Sequence, residues 1–247
     1  MKIAYLGTGA WGFCLARLLA AKGYTVSAWS NVPSQIEELT KARVHPYLPG
    51  RPISDTATFT TDLALALKDA HIIVESVTSA GIRPVFEQVG AVGIPTTTPI
   101  VMTSKGIEQK SGLILSEVVT SVLGEPYQNS IASLSGPSFA EEVSNGLPTS
   151  VVCASYSEEI ATLAADLFTT PFLRVYPNSD IRGVSFGGAL KNIIAIACGI
   201  SDGLELGTGA KATLMTRGLH EIAKLARLQR CRPETLYGLS GMGDLFL

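Results

Sequence analysis

The sequence predicts an α/β fold, doubly wound around a mainly parallel sheet, followed by a mostly α-helical second domain. Short β-branched runs alternate with helix-like stretches over most of the chain, which is typical of a parallel sheet with helices on both faces. After Asp180 no convincing strand is found, and the sequence becomes rich in Ala, Leu and Ile. Because 247 residues are enough for two domains, we expect a division into residues 1–179 and 180–247.

The predicted strands are short apolar runs bounded by turn signals: residues 2–6, 25–29, 71–75, 100–103, 130–134, 150–154 and 173–176. The predicted helices show apolar residues at helical spacing: residues 11–22, 34–42, 63–67, 82–89, 112–123, 158–168, 187–200, 210–228 and 233–237. The stretch at residues 45–55 is rich in proline and is predicted to be a loop.

The composition indicates a soluble protein of the cytoplasm. Hydrophobic residues make up 46% of the chain, enough for a large core. The formal net charge of −2 argues against nucleic-acid binding. The apolar runs are too short to predict membrane insertion, and glycines precede any long apolar run at the N-terminus, unlike a secretory signal. The cysteines show no metal or redox spacing, which favours reduced thiols; they are Cys14, Cys153, Cys198 and Cys231.

A glycine-rich loop directly follows the first predicted strand and begins the first predicted helix. Its sequence is Gly7-Thr8-Gly9-Ala10-Trp11-Gly12, the dinucleotide fingerprint of Rossmann-type folds. In that fingerprint Gly7 permits a tight turn, Gly9 lets the backbone approach a pyrophosphate, and Gly12 allows close helix–strand packing. The helix N-terminus then offers free N–H groups to the phosphates. The alternative is a glycine-rich turn without a ligand, which the strand–loop–helix context disfavours.

The residues after the second predicted strand bear on the choice of cofactor. A carboxylate there would bind the adenosine ribose and repel a 2′-phosphate. This chain has Trp29-Ser30-Asn31 instead, with neither an acid nor an arginine. Asn31 could form a hydrogen bond with either cofactor, so NADPH is slightly favoured and NAD stays open.

Lys191 stands out because the surrounding stretch, residues 187–198, is otherwise apolar apart from Asn192. Such a helix is expected to be buried. A buried lysine loses several kcal/mol of hydration, so it is a candidate for anion binding or proton transfer. The alternative, a lysine whose stem extends to water, is equally compatible with the pattern.

Three further polar segments follow predicted strands or helices. Lys105 comes after the strand at residues 100–103, where open α/β sheets bind ligands, although the spacing alone slightly favours a solvated loop lysine. Ser138 and Glu141 form a capping-box pattern at a helix start that also suits an anion. Asp244 lies in Gly241-Met242-Gly243-Asp244, which by itself predicts a flexible turn.

The histidines show no catalytic or metal-binding pattern. We interpret His45, His71 and His220 as structural or surface residues. No zinc-ligand spacing and no Ser/His/Asp order is found, so no metal is expected.

Taken together, the motifs resemble those of the bacterial-type NAD(P)-dependent glycerol-3-phosphate dehydrogenases. They occur in the family's order from residue 1 to 247 and lie at residues 7–12, 104–108, 135–143, 146–149, 187–192, 202–204, 216–218 and 241–245. The resemblance implies reversible reduction of dihydroxyacetone phosphate, a small phosphate substrate, to sn-glycerol 3-phosphate by NAD(P)H. This reaction feeds glycerophospholipid synthesis.

The resemblance also implies roles for individual residues. Lys191 matches the catalytic lysine, which donates the proton in reduction and accepts it in oxidation. The substrate-site positions are Lys105, Gly136, Ser138, Lys191 and Asp244. The cofactor-site positions are Gly7, Gly9, Ala10, Trp11, Gly12, Asn31, Lys105 and Ala140.

The chain departs from the family pattern at two positions. Gly209 stands where many relatives have Asn, and Ser185 replaces a commonly acidic or amide residue. Relatives also continue past this point with a Ser-Arg-Asn segment that binds substrate phosphate and cofactor. We therefore expect the 247-residue form to bind cofactor but to be a poor or inactive enzyme.

Two alternatives and one question stay open at this point. A 3-hydroxy-acid dehydrogenase of similar architecture would also use a lysine and a nearby asparagine. A dinucleotide-binding module without turnover is the second alternative. The oligomeric state is unresolved, with a homodimer among the states that the sequence allows.

Overall fold

The computed structural model describes residues 1–246 and contains one eight-stranded sheet. The strands are β1 (Lys2–Leu6), β2 (Thr25–Trp29), β3 (Ala57–Thr60), β4 (Ile72–Glu75), β5 (Ile100–Met102), β6 (Ile131–Ser135), β7 (Thr149–Ser155) and β8 (Leu173–Asn178). Their spatial order is β3-β2-β1-β4-β5-β6-β7-β8. Strands β1 to β6 run parallel, β7 is antiparallel to β6, and β8 is parallel to β7.

The helices of the first part are α1 (Ala10–Ala21), α2 (Pro33–Ala42), α3 (Leu63–Leu67), α4 (Ile82–Val92), α5 (Leu115–Leu123), α6 (Ala140–Ser144) and α7 (Glu158–Phe168). Those of the second part are α8 (Ile181–Gly203), α9 (Thr208–Leu228) and α10 (Pro233–Leu236), followed by a π-helical turn at Leu239–Gly243. The predicted fold class is confirmed: a mostly parallel, doubly wound sheet precedes a helical region.

The core lies on both faces of the sheet. One apolar cluster contains Phe13 of α1 and Phe168 of α7, and the other contains Phe86 of α4 and Val118 of α5. A third, smaller cluster is formed mainly by the C-terminal helices, with Ala226 of α9 and Leu236 of α10. Helices on both faces explain why the central strands β1, β4 and β5 are buried along almost their whole length, as parallel strands are.

Among the strands and α-helices, the sequence prediction missed β3 and gave no bounds for α6, of which the Ser138–Glu141 pattern predicted only the start. Strand β3 pairs only with β2 at the sheet edge, and most of its residues are exposed or half-buried. An edge strand of four residues leaves no apolar run to recognise. Helix α6 has only five residues and is too short to show helical periodicity.

Helix α8 begins at Ile181, six residues before the predicted start at Gly187. Asp180 is its N-cap: Gly183 N donates a hydrogen bond to one carboxylate oxygen at 2.9 Å. The other oxygen accepts from Arg232 N and Thr235 Oγ1, both at 2.8 Å, and so connects α8 to α10. Glycines in the first two turns lower helix propensity, which hid this start from the sequence prediction.

The prediction that α8 is buried on every side is wrong. Ile193, Ile196 and Ile200 are 63%, 65% and 59% exposed. Within residues 1–246, α8 packs against β6, β7, α9, α10 and the π-helical turn, and this leaves one side uncovered. By length and composition alone α8 could cross a membrane, but core helices of globular proteins meet the same criterion.

Candidate active site

The carboxyl ends of β1, β4, β5 and β6 lie side by side at one edge of the sheet. Gly7 follows β1, Ser76 follows β4, Lys105 lies shortly after β5, and Gly136 follows β6. The predicted cofactor loop and Lys105 therefore belong to the same edge, where open α/β sheets bind their ligands.

The glycine loop has room for a pyrophosphate at one glycine and not at the others. A Cβ on Gly7 (φ +103°) would lie 2.5 Å from Ser76 O, and a Cβ on Gly12 would lie 2.4 Å from Gly7 O. A Cβ on Gly9, the N-cap of α1, would meet no atom within 4 Å. No side chain caps α1, so its first-turn N–H groups face this space without intrahelical partners. The loop thus fits the phosphates of a dinucleotide.

Gln35 of α2, which sequence analysis did not single out, joins this loop to the end of β2. Its Oε1 accepts hydrogen bonds from Thr8 Oγ1 at 2.8 Å and Ser30 Oγ at 3.0 Å, while its Nε2 donates to Thr8 O at 3.1 Å. These bonds fix the β2 end against the glycine loop. Asn31, the next residue, is exposed and available to a ligand.

The other predicted cofactor residues lie on the packed helices α1 and α6. Trp11 and Ala140 are half-buried and pack against the same apolar cluster. Because α6 packs against α1, Ala140 is brought to the helix that begins at the glycine loop.

Lys105 and Lys191 converge on one carboxylate. Lys105 Nζ lies 2.5 Å from Asp244 Oδ2, and Lys191 Nζ donates to Asp244 Oδ1 and, at 3.0 Å, to the Asp244 backbone oxygen. The Asp244 side chain is fully buried, whereas those of Lys105 and Lys191 are 26% and 16% exposed. Two ammonium groups thus share one buried negative charge and leave one positive charge for an anionic ligand.

Burial lowers the pKa of Lys105, and the nearby Lys191 ammonium lowers this pKa further, whereas Asp244 raises it. The Asp244 carboxylate therefore offsets part of the effect that burial has on this pKa.

Gly136 and Ser138 complete the group around Lys105. The Gly136 carbonyl oxygen accepts hydrogen bonds from Lys105 Nζ at 3.2 Å and from Ser138 Oγ at 3.1 Å. The predicted capping box of Ser138 and Glu141 is wrong: Phe139 is the N-cap of α6 and makes no side-chain capping bond. The hydroxyl donates back to Gly136 instead, which keeps Ser138 beside the lysine.

The predicted flexible turn at residues 241–244 is also wrong. Residues 239–243 form a π-helical turn that packs against α8. The turn approaches both α10 and α8 closely: a Cβ on Gly241 would lie 2.0 Å from Leu236 O of α10, and one on Gly187 of α8 would lie 3.0 Å from Ser240 O. This packing places Asp244 within reach of Lys191.

Gly188 brings α8 against the Lys105 side chain. A Cβ there would lie 2.7 Å from Ser135 Oγ and 3.4 Å from Lys105 Cδ. Gly187 and Gly188 therefore let α8 pack closely against its neighbours. In the sequence this was visible only as two glycines in a helical pattern.

In the described residues no histidine bonds to Lys105, Lys191 or Asp244. His45 is buried beside Phe13, with ring centroids 5.6 Å apart, and burial lowers its pKa. His71 and His220 are exposed. Among residues 1–246 no three His, Cys, Asp or Glu side chains are grouped as metal ligands require. All four cysteines are buried free thiols.

Comparison with known proteins agrees with this geometry. Residues 2–161 match the sequence model of the NAD-dependent glycerol-3-phosphate dehydrogenase N-terminus, and residues 180–247 match that of its C-terminus. The chain belongs to this family. A glycerol-3-phosphate dehydrogenase [NAD(P)+] of Protochlamydia amoebophila is 60% identical over 99% of this chain and 73% of its own length. The relative of the same name from Chlamydia pneumoniae is 54% identical over 98% of this chain and 72% of its own.

The fold of this family member is likewise shared with solved relatives. The glycerol-3-phosphate dehydrogenase of Coxiella burnetii superposes with a TM-score of 0.93 at 38% identity, covering all of this chain and 74% of the other. The chain thus spans about three quarters of the length of these relatives. Family membership implies a nicotinamide dinucleotide cofactor.

Proposed function

We propose that this dehydrogenase interconverts dihydroxyacetone phosphate and sn-glycerol 3-phosphate with NAD(P)H and supplies glycerophospholipid synthesis. The observation that carries the proposal is the pair of lysines on one buried carboxylate, at the sheet edge that also bears the glycine loop. A dianionic phosphate substrate suits a site with excess positive charge, and the activity for which the Protochlamydia amoebophila relative is named favours this substrate over 3-hydroxy acids.

The proposed chemistry assigns the proton to Lys191. When bound, the reduced nicotinamide supplies a hydride to the carbonyl carbon. The carbonyl oxygen then gains negative charge, and the Lys191 ammonium stabilises that charge and donates its proton to form the alcohol. In the oxidation direction the neutral amine takes the proton back. Asp244 holds Lys191 Nζ in place for both steps.

The remaining residues bind and orient the two reactants. We assign substrate binding to Lys105, Gly136, Ser138, Lys191 and Asp244. We assign cofactor binding to Gly7, Gly9, Ala10, Trp11, Gly12, Asn31, Lys105 and Ala140. The contacts among Lys105, Gly136 and Ser138 and the open space at Gly9 support these assignments.

A matched pair of glycine variants tests the cofactor site. Gly9→Val should abolish the quenching of Trp11 fluorescence by NAD(P)H, because the side chain would fill the space proposed for the pyrophosphate. Gly209→Val is the control, since a Cβ there also meets nothing within 4 Å, and it should bind normally. The loop is not the cofactor site if Gly9→Val binds as tightly as the control.

We further propose NADPH as the preferred cofactor, since no carboxylate follows β2 and Asn31 is exposed. We also propose that the protein is cytoplasmic and does not insert into a membrane. We propose that its two domains divide between residues 179 and 180. The gap between β8 and α8 supports that division, and limited proteolysis tests it. We include a homodimer because the apolar side chains exposed on α8 favour an assembly that covers them; sedimentation analysis tests this point.

A further inference from the structure

Glu75, the last residue of β4, is a fully buried carboxyl group that the proposed reaction does not use. Its neighbours in register are Leu6 of β1 and Met102 of β5. Both belong to the second apolar cluster, and residues in register share one face of the sheet. A carboxyl group on this apolar face loses its hydration, which destabilises the fold unless specific contacts offset the loss.

The contacts of Glu75 lead directly to the loop that carries Lys105. Glu75 Oε1 accepts hydrogen bonds from Val77 N at 2.5 Å and Ser104 Oγ at 2.6 Å. Its backbone oxygen accepts from Thr103 N at 2.9 Å and Thr103 Oγ1 at 2.8 Å. Glu75 therefore forms hydrogen bonds with both residues that precede Lys105, namely Thr103 and Ser104.

A polar network continues from this point towards the glycine loop. Ser76 Oγ lies 2.5 Å from Thr103 Oγ1 and 2.7 Å from Tyr5 OH. The carbonyl oxygen of Ser76 is the atom that a Cβ on Gly7 would strike at 2.5 Å. The segment after β4 thus lies between the cofactor loop and the lysine loop and contacts both.

We propose that Glu75 is a positioning residue, which fixes residues 103–106 at the sheet edge and thereby places Lys105 against Gly136 and Asp244. The inference rests on the proposed function only in that Lys105 binds substrate. Gly106 supports it: a Cβ there would lie 3.0 Å from Ser79 Cβ, so the loop packs on the segment after β4 at both its ends. Burial raises the pKa of Glu75 to about 7, while the bond from Ser104 lowers it.

The first test measures the chemical reactivity of lysines with an amine-acylating reagent, read by mass spectrometry, and needs no catalysis. Glu75→Leu removes the acceptor, so Lys105 should react at least about threefold faster through local opening of its loop. Lys191, held on α8, should keep its rate. Glu75→Gln retains an acceptor oxygen and should leave Lys105 near the wild-type rate.

Ser104→Ala is the second variant, and it probes the same link if Glu75→Leu does not fold. The Ser104 hydroxyl also lies close to Val77 O, so Glu75→Leu leaves it one acceptor, whereas Ser104→Ala removes the hydroxyl itself. Lys105 should become more reactive in this variant too. An unchanged Lys105 rate in the folded variants would overturn the proposal. The proposal would also be overturned if all lysines became equally more reactive and the unfolding temperature fell, because the variant would then be destabilised as a whole.

Kinetics then separate this proposal from the proposed function. Glu75→Leu should lower kcat/KM for dihydroxyacetone phosphate about tenfold, with Glu75→Gln close to wild type, and should have no further effect in a Lys105→Met background. A changed Lys105 reactivity, together with no turnover by wild-type protein that spans the full length of the relatives, would refute the function and leave the positioning role. Normal turnover by the wild-type enzyme, with Lys105 reactivity unchanged in the Glu75 and Ser104 variants, would support the function and refute the positioning role.

Discussion

Replacing Asp244 by asparagine should destabilise the protein far more than removing an exposed ion pair. The substitution keeps the shape of the side chain and removes the only carboxylate that Lys105 and Lys191 contact in the described residues. Breaking a buried pair costs about 3–5 kcal/mol, because the remaining charge stays desolvated. Both lysine side chains retain some exposure, 26% and 16%, so we expect the lower end, about 3 kcal/mol.

The assay is urea unfolding at neutral pH, followed by circular dichroism, with a control from the same chain. Asp202 pairs with Lys211 at 2.6 Å, with side chains 53% and 42% exposed. Asp202→Asn should therefore lower the free energy of unfolding much less than Asp244→Asn, because water screens an exposed pair. Equal losses in the two variants would refute the argument that Asp244 neutralises a buried cation cluster. Asp244→Asn should also lower the pKa of Lys105 further, since Asp244 is what raises it.

Three further predictions concern the glycine loop, the end of β2 and Glu75. Gly12→Ala should lower the free energy of unfolding by about 1–3 kcal/mol, because its Cβ would lie 2.4 Å from Gly7 O, while Gly9→Ala, in open space, should not; equal thermal unfolding of the two variants would contradict this. Asn31→Asp should weaken NADPH binding relative to NADH about tenfold by repelling the 2′-phosphate, and an unchanged ratio of dissociation constants would remove Asn31 from the cofactor site. Because burial raises the Glu75 pKa from 4.5 to about 7, its stabilising contribution is present at acidic pH and is lost as pH rises through about 7. The free energy of unfolding should fall by about 3 kcal/mol over this pH range. Urea unfolding at several pH values should show this fall in the wild-type protein and not in Glu75→Gln, and an identical pH profile for both proteins would argue against the assignment.

Sequence patterns predicted the elements that depend on local signals. The glycine fingerprint and the strand before Lys105 placed two parts of the site at the correct sheet edge. The meeting of Lys105, Lys191 and Asp244 could not be predicted from spacing, because Asp244 is 139 and 53 residues away from the lysines. That contact depends on Gly187 and Gly188 of α8, whose lack of side chains permits close packing.

The errors have related physical causes. The capping-box pattern at Ser138 failed because the hydroxyl bonds to Gly136 instead of the helix start. The apolar composition of α8 predicted complete burial, yet burial depends on how many elements pack around a helix, which composition does not report. Glu75 ends an otherwise apolar strand, and this acid was the one available sign of the buried network.

The most direct test of the proposed active site compares wild-type protein with Lys191→Met, both in a form that spans the full length of the relatives. Oxidation of NADPH or NADH on adding dihydroxyacetone phosphate is followed by absorbance, and cofactor binding is measured on the same samples by Trp11 fluorescence. The site predicts that wild-type protein oxidises the cofactor and that the variant binds it equally well but turns over about 10²–10⁴-fold more slowly. Equal turnover by the two proteins would contradict the assignment of the proton to Lys191.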